Sequence, residues 1–337
     1  MKLTTLAEQA FEPVTQAIAS SRIPGAALGL VTASGDRAIM FGGSAQLVPR
    51  PQALRRSSYF DLASLTKVIF CTTAILRLVE QKRIALDDPL SKAIPDLRQY
   101  DLSAPERKLT LRQCLTHQTH LPAVEPLYTY GQNPATLRAF VLQRAWAAGP
   151  PVYSDINFIL LGIALERLNG QALREHPLAD GFSWAPPPAE CAATEACSWR
   201  GAVLRGTVHD ENAHALGGAS GHAGLFGTVD ACMDFALGLL TAKLLAKESI
   251  EQIRKPHGAT RTLGWERQHA GWSGGDACSS ETIGHTGFTG TGLWLDWQRG
   301  LAWTLLTNRV HPSRHLESGI AALRREVGAR VIDAAAT

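Results

Sequence analysis

The strand-forming patterns of this chain sit at its two ends, and a long proline-broken helical stretch separates them. Near the start, AALGLVTASGDRAIMFGG reads as two strands joined by a Ser34-Gly35-Asp36 turn, a hairpin signal. Near the end, ETIGHTGFTG, TGLWLDWQRG and LAWTLLTNR read as three successive strands, with Gln298-Arg299-Gly300 as one of the turns. Between them, residues 83–180 carry helical patterns interrupted by Pro89, Pro95, Pro122, Pro134 and Pro150-Pro151. Such an order predicts an α+β fold: an antiparallel β-sheet built from both chain ends, flanked by helices, with an all-helical domain inserted. The expected boundaries are 1–80 and 205–337 for the sheet domain and 81–204 for the insertion. Helices are expected at 4–20, 64–82, 229–247 and about 315–333, and a Pro/Ala-rich loop at 181–198. The segment 64–82 is apolar around most of its circumference, which predicts a central, buried helix.

Bulk properties narrow the function classes. A chain of 337 residues can bury a sizeable core without staples. Its 33 basic and 30 acidic residues leave a net charge of +3, too even for a nucleic-acid or membrane-surface role. No apolar run is long enough to span a membrane. Glu8 and Glu12 interrupt the N-terminal stretch, where neither an apolar core nor a small-residue cleavage site follows. This predicts no secretory signal and a cytoplasmic location. The six cysteines are scattered and form no C-x-x-C, so the expectation is buried reduced thiols, with Cys191 and Cys197 the one pair placed to bridge.

Four constellations could carry chemistry. Ser64 and Lys67 stand one helical turn apart at the start of the 64–82 segment, so hydroxyl and ammonium share a face. A serine needs a base to become a nucleophile. A lysine in a dry pocket can serve, and the serine's own N–H can face an oxyanion. Read alone, the pair is more often an N-cap serine with an exposed lysine. Tyr153-Ser154-Asp155 follows Pro150-Pro151 and precedes an apolar helix. The phenol can act as a base between cations, or it packs while Asp155 caps the helix. His285-Thr286-Gly287 lies in a glycine-rich edge strand, where a substrate backbone can approach and the Phe288 N–H can be a second oxyanion donor. It is otherwise a turn between strands. His209-Asp210-Glu211-Asn212, with His214 and His222 nearby, invites a metal reading. Its spacing fits no metal motif, and a polar loop shaping a cleft wall is the expectation.

Together, S-x-x-K, Y-S-D and H-T-G in this order resemble the serine β-lactamase and penicillin-binding-protein superfamily, in particular its class C-like branch. LTLRQCLTHQTHLP and GHAGLFGTVDACMDF also look like family segments. VHDENAHALGGASGHAGLF looks closest to a subgroup that includes an N-acetylmuramyl-L-alanine amidase. The resemblance implies Ser64 as nucleophile, Lys67 and Tyr153 sharing proton transfer, and the N–H groups of Ser64 and Phe288 holding the oxyanion. Asp155, His285, Thr286 and Gly287 would contact substrate or tune the base pair. It implies no metal and no cofactor. Asp155 departs from the usual Asn and should keep Lys67 charged, which favours Tyr153 as base. His285 departs from the usual Lys, so a fixed positive charge is lost or becomes pH-dependent. His120 stands where the family often has Gly. The function expected is a serine hydrolase of an amide or ester, with a muramyl-peptide or similar peptidoglycan fragment as leading substrate. A carboxylesterase, a D-amino-acid peptidase or a weak β-lactamase of the same fold is the alternative, and a penicillin-binding sensor without turnover is the rival. No obligatory protein partner is expected.

Overall fold

In the computed structural model, which describes residues 2–335, the two ends of the chain meet in one antiparallel sheet. Its strands are β1 (Gly25–Thr32), β2 (Arg37–Gln46), β3 (Gln52–Ala53), β4 (Glu266–Arg267), β5 (Ile283–Thr286), β6 (Gly292–Asp296) and β7 (Leu301–Thr307). They pair in the order β3-β2-β1-β7-β6-β5-β4. The β1–β7 ladder, with Leu28 opposite Leu305 and Leu30 opposite Trp303, is the seam between the early and late strands.

Both faces of this sheet are covered, because β1 is apolar and buried from Gly25 to Val31 rather than at alternate positions. Ala26, Leu28 and Leu30 join Trp294, Trp303 and Leu305 on one face, under helices Leu3–Ala19 and Ile320–Ala335. Ala27 and Val31 join Leu293 and Leu295 on the other, against helix Val229–Leu240. Gly29 permits that contact, since a Cβ there would lie 2.8 Å from Met233 Sδ. Helix Asp155–Asn169 is buried continuously from Ile156 to Leu165 and forms the centre of the helical part. A second, three-stranded sheet joins Phe60–Asp61, Phe226–Gly227 and Phe182–Ser183. It delivers the chain to Ser64.

Several elements differ from expectation for local reasons. The 64–82 helix is not uniform: Lys67–Thr72 is a π-helical turn, and regular α-helix follows at Thr73–Glu80. Thr72 Oγ1 and Thr73 Oγ1 donate to the carbonyls of Lys67 and Val68, five residues back, which holds the wider turn open. The expected 229–247 helix ends at Leu240, where Ala242 turns left-handed (φ 51°), and Lys247–Arg254 is a separate helix. The terminal helix starts at Ile320, after Gly319 (φ 64°). The 181–198 segment is not all loop: Phe182–Ser183 and Ala196–Cys197 are short paired strands. Cys191 and Cys197 are not bridged; all six thiols are free and buried. No described helix is long and apolar enough to cross a membrane.

Candidate active site

Ser64 is placed by a strained and well-fastened approach. Asp61 ends its short strand with a buried carboxylate that accepts the N–H of Ala63 (2.9 Å) and of His209 (2.6 Å). Burial pushes the Asp61 carboxyl up to about 6, against the pull of those two bonds. Ala63 then sits in the left-handed region (φ 48°), a costly conformation for a residue with a Cβ. Ser64 follows, half-buried, on the wall of a cavity of about 540 Å³.

Lys67 lies beneath it with no solvent exposure. Its Nζ donates to Ser64 Oγ (3.0 Å) and to the carbonyl of His222 (3.2 Å), and it pairs with Asp155 Oδ1 (2.7 Å). Burial pulls the ammonium down, but the Asp155 carboxylate and the Tyr153 phenol outweigh it, and the net shift is upward. The Tyr153 ring centroid is 5.0 Å from Nζ. Ser154, rather than Asp155, caps the helix that follows, and its N–H donates to His117 Nδ1 (3.0 Å). Burial, with Arg261 and Lys67 nearby, holds His117 down at about 2, so it is neutral and free to accept that bond.

His285 comes from β5, opposite Leu293. Its Nδ1–H donates to the Thr286 carbonyl (3.0 Å). Burial, together with the charges of Lys67 and Arg261, pushes it well below the ordinary histidine range. The third motif therefore brings no positive charge. Pairing stops at Thr286 because Gly287 N–H turns back to the Thr291 carbonyl (2.9 Å). This turn is fastened from every side. Thr289 Oγ1 donates to Asp61 O (2.7 Å), and Thr291 Oγ1 to Leu62 O (3.0 Å). Arg309 holds the Phe288 carbonyl through Nε (2.9 Å), and the buried Arg324 holds those of Gly287 and Thr291 (2.7 Å each). Among the described residues, the N–H groups of Ser64 and Phe288 have no backbone acceptor, and both residues border the cavity.

The remaining wall is the His209–Asn212 loop. His209 Nε2 meets Glu195 (3.1 Å), and the ring stacks on Phe288 at 5.6 Å. Burial works to raise the Glu195 carboxyl, but hydrogen bonds from Arg314 hold it down at about 2. Arg314 also pairs with Glu211 (2.5 Å). Asp210 caps the short helix Glu211–Ala215 through the Ala213 N–H and meets His222 Nε2 (2.9 Å). Asn212 turns away to the Glu125 carbonyl (2.8 Å). Asp155, Asp210 and His222 bring one ligand atom each within 4.8 Å of one another. Their partners are already in the protein: Lys67 for Asp155, and each other for Asp210 and His222. The left-handed residue near His120 is His117 (φ 55°), so His120 needs no glycine there.

Ser64, Lys67, Tyr153, Asp155, His285, Thr286, Gly287 and Phe288 thus converge on one cleft. Sequence reasoning singled out His222 only as part of a possible metal cluster and missed His117, Glu195, Arg261, Arg309, Arg314 and Arg324. Of the missed residues only His117, in the T-H-Q-T-H stretch, gave any signal.

A family model described as Beta-lactamase matches residues 9–326. The chain belongs to the beta-lactamase family. Among curated relatives of this beta-lactamase-family chain is the N-acetylmuramyl-L-alanine amidase of Bacillus subtilis (strain 168). It is 30% identical over 319 residues, spanning 79% of this chain and 71% of that protein. Among solved structures, a hydrolase with promiscuous acyltransferase activity superposes with a TM-score of 0.75 at 20% identity, covering 97% of this chain and 98% of the other. A class C beta-lactamase superposes with a TM-score of 0.74 at 15% identity, covering 96% and 98%. The fold is that of the family, with its antiparallel sheet and flanking helices.

Proposed function

We propose that this beta-lactamase-family chain is a serine hydrolase that cleaves an amide or ester through an acyl-serine, with Ser64 as nucleophile. The observation that carries the reading is the 3.0 Å contact between Lys67 Nζ and Ser64 Oγ, in a cleft bordered by two unpaired backbone N–H groups. Lys67 is charged and donates to Ser64, so it is not the group that takes the serine proton. Tyr153 takes it. Ser64 Oγ bonds to the carbonyl carbon while the N–H groups of Ser64 and Phe288 hold the oxyanion. The carbon–nitrogen or carbon–oxygen bond then breaks, and the leaving amine or alcohol receives the proton. Water attacks the acyl-serine, its proton passes back through Tyr153, and the acid leaves with the Ser64 hydroxyl restored.

The substrate proposed is a muramyl-peptide or similar peptidoglycan fragment. Similarity to the Bacillus subtilis amidase supports it. A carboxylesterase is the second reading, favoured by the neutral His285, which offers no fixed charge to a substrate carboxylate. The test is a fluorophosphonate adduct located by mass spectrometry, together with turnover of N-acetylmuramyl-dipeptide, short p-nitrophenyl esters and nitrocefin. The expected result is an adduct on Ser64, turnover of the muramyl-peptide, and loss of both in Ser64→Ala. In Tyr153→Phe, turnover should fall by about 100-fold or more. No adduct at Ser64 sinks the acyl-enzyme reading. A lasting penicillin adduct without turnover of any substrate points to a sensor instead.

A further inference from the structure

Beside the helix that carries Lys67 lies a second cavity of about 340 Å³, and it shares no lining residue with the Ser64 cleft. Ile69 and Phe70 of the π-turn, with Phe182, Leu225, Phe235 and Leu244, give it an apolar wall. Its charged lining is two guanidinium groups, those of Arg77 and Arg83, and no carboxylate. The Ser64 cleft, by contrast, has Asp155, Asp210, Glu211 and Glu266 on its wall. Arg83 is engaged by Asn169 Oδ1 (2.7 Å) and the Leu168 carbonyl. Arg77 is exposed, and among the described residues its side chain makes no hydrogen bond and no ion pair. His176, whose ring meets Phe70 edge-on at 5.7 Å, also lines the cavity, and its Nε2 is buried without a hydrogen-bond partner.

An apolar hollow with an uncommitted guanidinium at its edge suits an amphipathic anion, since the fork of donors matches a carboxylate and the wall takes a hydrocarbon. Benzene fills a cavity of about 150 Å³, so this one takes a chain of roughly ten carbons. The same cavity touches both supports of Ser64. The Leu225 carbonyl accepts the Leu62 N–H (2.9 Å), and the Leu225 N–H donates to Thr66 Oγ1 (3.2 Å), so one residue clamps the chain on either side of Ser64. Ile69 and Phe70 follow Lys67 in the π-turn that sets the lysine beneath the serine. A chain packed on Leu225, Ile69 and Phe70 adds dispersion contacts to the clamp and the turn together, and so favours the arrangement in which Lys67 reaches Ser64.

We propose that this cavity is a second ligand site, for a medium-chain alkyl carboxylate, with the head group on Arg77 and the chain against the π-turn, and that its occupancy raises the reactivity of Ser64. The site itself stands apart from the hydrolase reading. Only its effect on Ser64 rests on that reading.

The test titrates the whole chain with decanoate and with decyltrimethylammonium by calorimetry, below the concentrations at which either forms micelles. Wild type is expected to bind decanoate in preference to the cation. Arg77→Glu should lower the ratio of the two affinities by about 10-fold or more, the loss of a charged contact and its replacement by a repulsive one. Ala179→Trp alters an exposed residue of the cavity lining, fills the space and should abolish decanoate binding. Neither residue lines the Ser64 cleft. No decanoate binding in wild type, undiminished binding in Ala179→Trp, or an unchanged ratio in Arg77→Glu overturns the site. Saturating decanoate should speed fluorophosphonate labelling of Ser64 by about 5-fold or more in wild type and leave Ala179→Trp unaffected. Binding that leaves the labelling rate unchanged, or slows it, overturns the coupling. If Ser64 is not labelled with or without decanoate, the acyl-serine reading fails and the coupling with it, while the calorimetry still decides the site.

Discussion

The Lys67–Asp155 pair decides how protons can move at Ser64. Lys67 is fully buried, and burial alone would favour the neutral amine. The carboxylate at 2.7 Å reverses that balance. Asp155→Asn removes the reversing charge and leaves the burial, so the Lys67 pKa should fall. In wild type the lysine stays charged across about pH 5–9, because its pKa lies above the ordinary value of about 10.4. In Asp155→Asn it should lose its proton inside that window. The rate of Ser64 modification by a fluorophosphonate, measured against pH, should gain an ionisation that wild type lacks. An identical profile in both proteins would mean that Asp155 does not set the lysine's charge. The Ser64–Lys67 pair was legible because three residues of helix fix its geometry locally. The charge state was legible from Asp155 alone. His117 and Arg261 were not, since each meets Tyr153 across a separation in sequence that no local pattern records.

At the level of elements, the site depends on a turn being locked to a strand end. Residues 287–291 carry the Phe288 N–H, and Thr289 and Thr291 fasten them to the carbonyls of Asp61 and Leu62, just ahead of Ser64. Arg324 reaches in from the terminal helix and closes the turn from behind. Arg324→Met removes the charged donor shared by the Gly287 and Thr291 carbonyls, leaving each with one backbone N–H, while Arg309 still holds Phe288 O. A shift of the turn by a fraction of its size is enough to misplace an oxyanion donor. The expected result is a loss of about 10- to 100-fold in kcat with KM changed far less. A lowered melting temperature with kcat intact would make Arg324 a structural clamp only. The β1–β2 hairpin and the β6–β7 pair were readable because their partners adjoin in sequence and Ser34-Gly35-Asp36 and Gln298-Arg299-Gly300 mark the turns. The small sheet of Phe60–Asp61, Phe182–Ser183 and Phe226–Gly227 was not. Each strand is two residues long, too short to show alternation, and its partners lie far apart along the chain. The π-turn at Lys67–Thr72 was equally hidden, because threonines that bond five residues back look like any helical threonine.

For the molecule as a whole, joining both chain ends in one sheet makes the last helix a condition for the first strands. The face of β1, β6 and β7 that carries Leu28, Leu30, Trp294 and Trp303 is covered by Leu3–Ala19 and Ile320–Ala335 together. The terminal helix contributes Leu323, Val327, Val331 and Ile332 to that layer. At about 1.5–3 kcal/mol for each buried aliphatic side chain, these four are worth roughly 6–12 kcal/mol. A whole domain is stable by only about 5–15 kcal/mol. A chain ending at Gly319 should therefore lose its cooperative unfolding transition, not just its activity. Its tryptophan emission should move to the red as Trp294 and Trp303 meet water. Val327→Ala, by contrast, should cost about 1–3 kcal/mol and leave Ser64 as reactive as before, since the layer stays closed. The two variants separate packing from chemistry. If the shortened chain kept a sharp transition and still labelled at Ser64, the sheet would have to close without its last helix, and the link drawn here between the two chain ends would be broken.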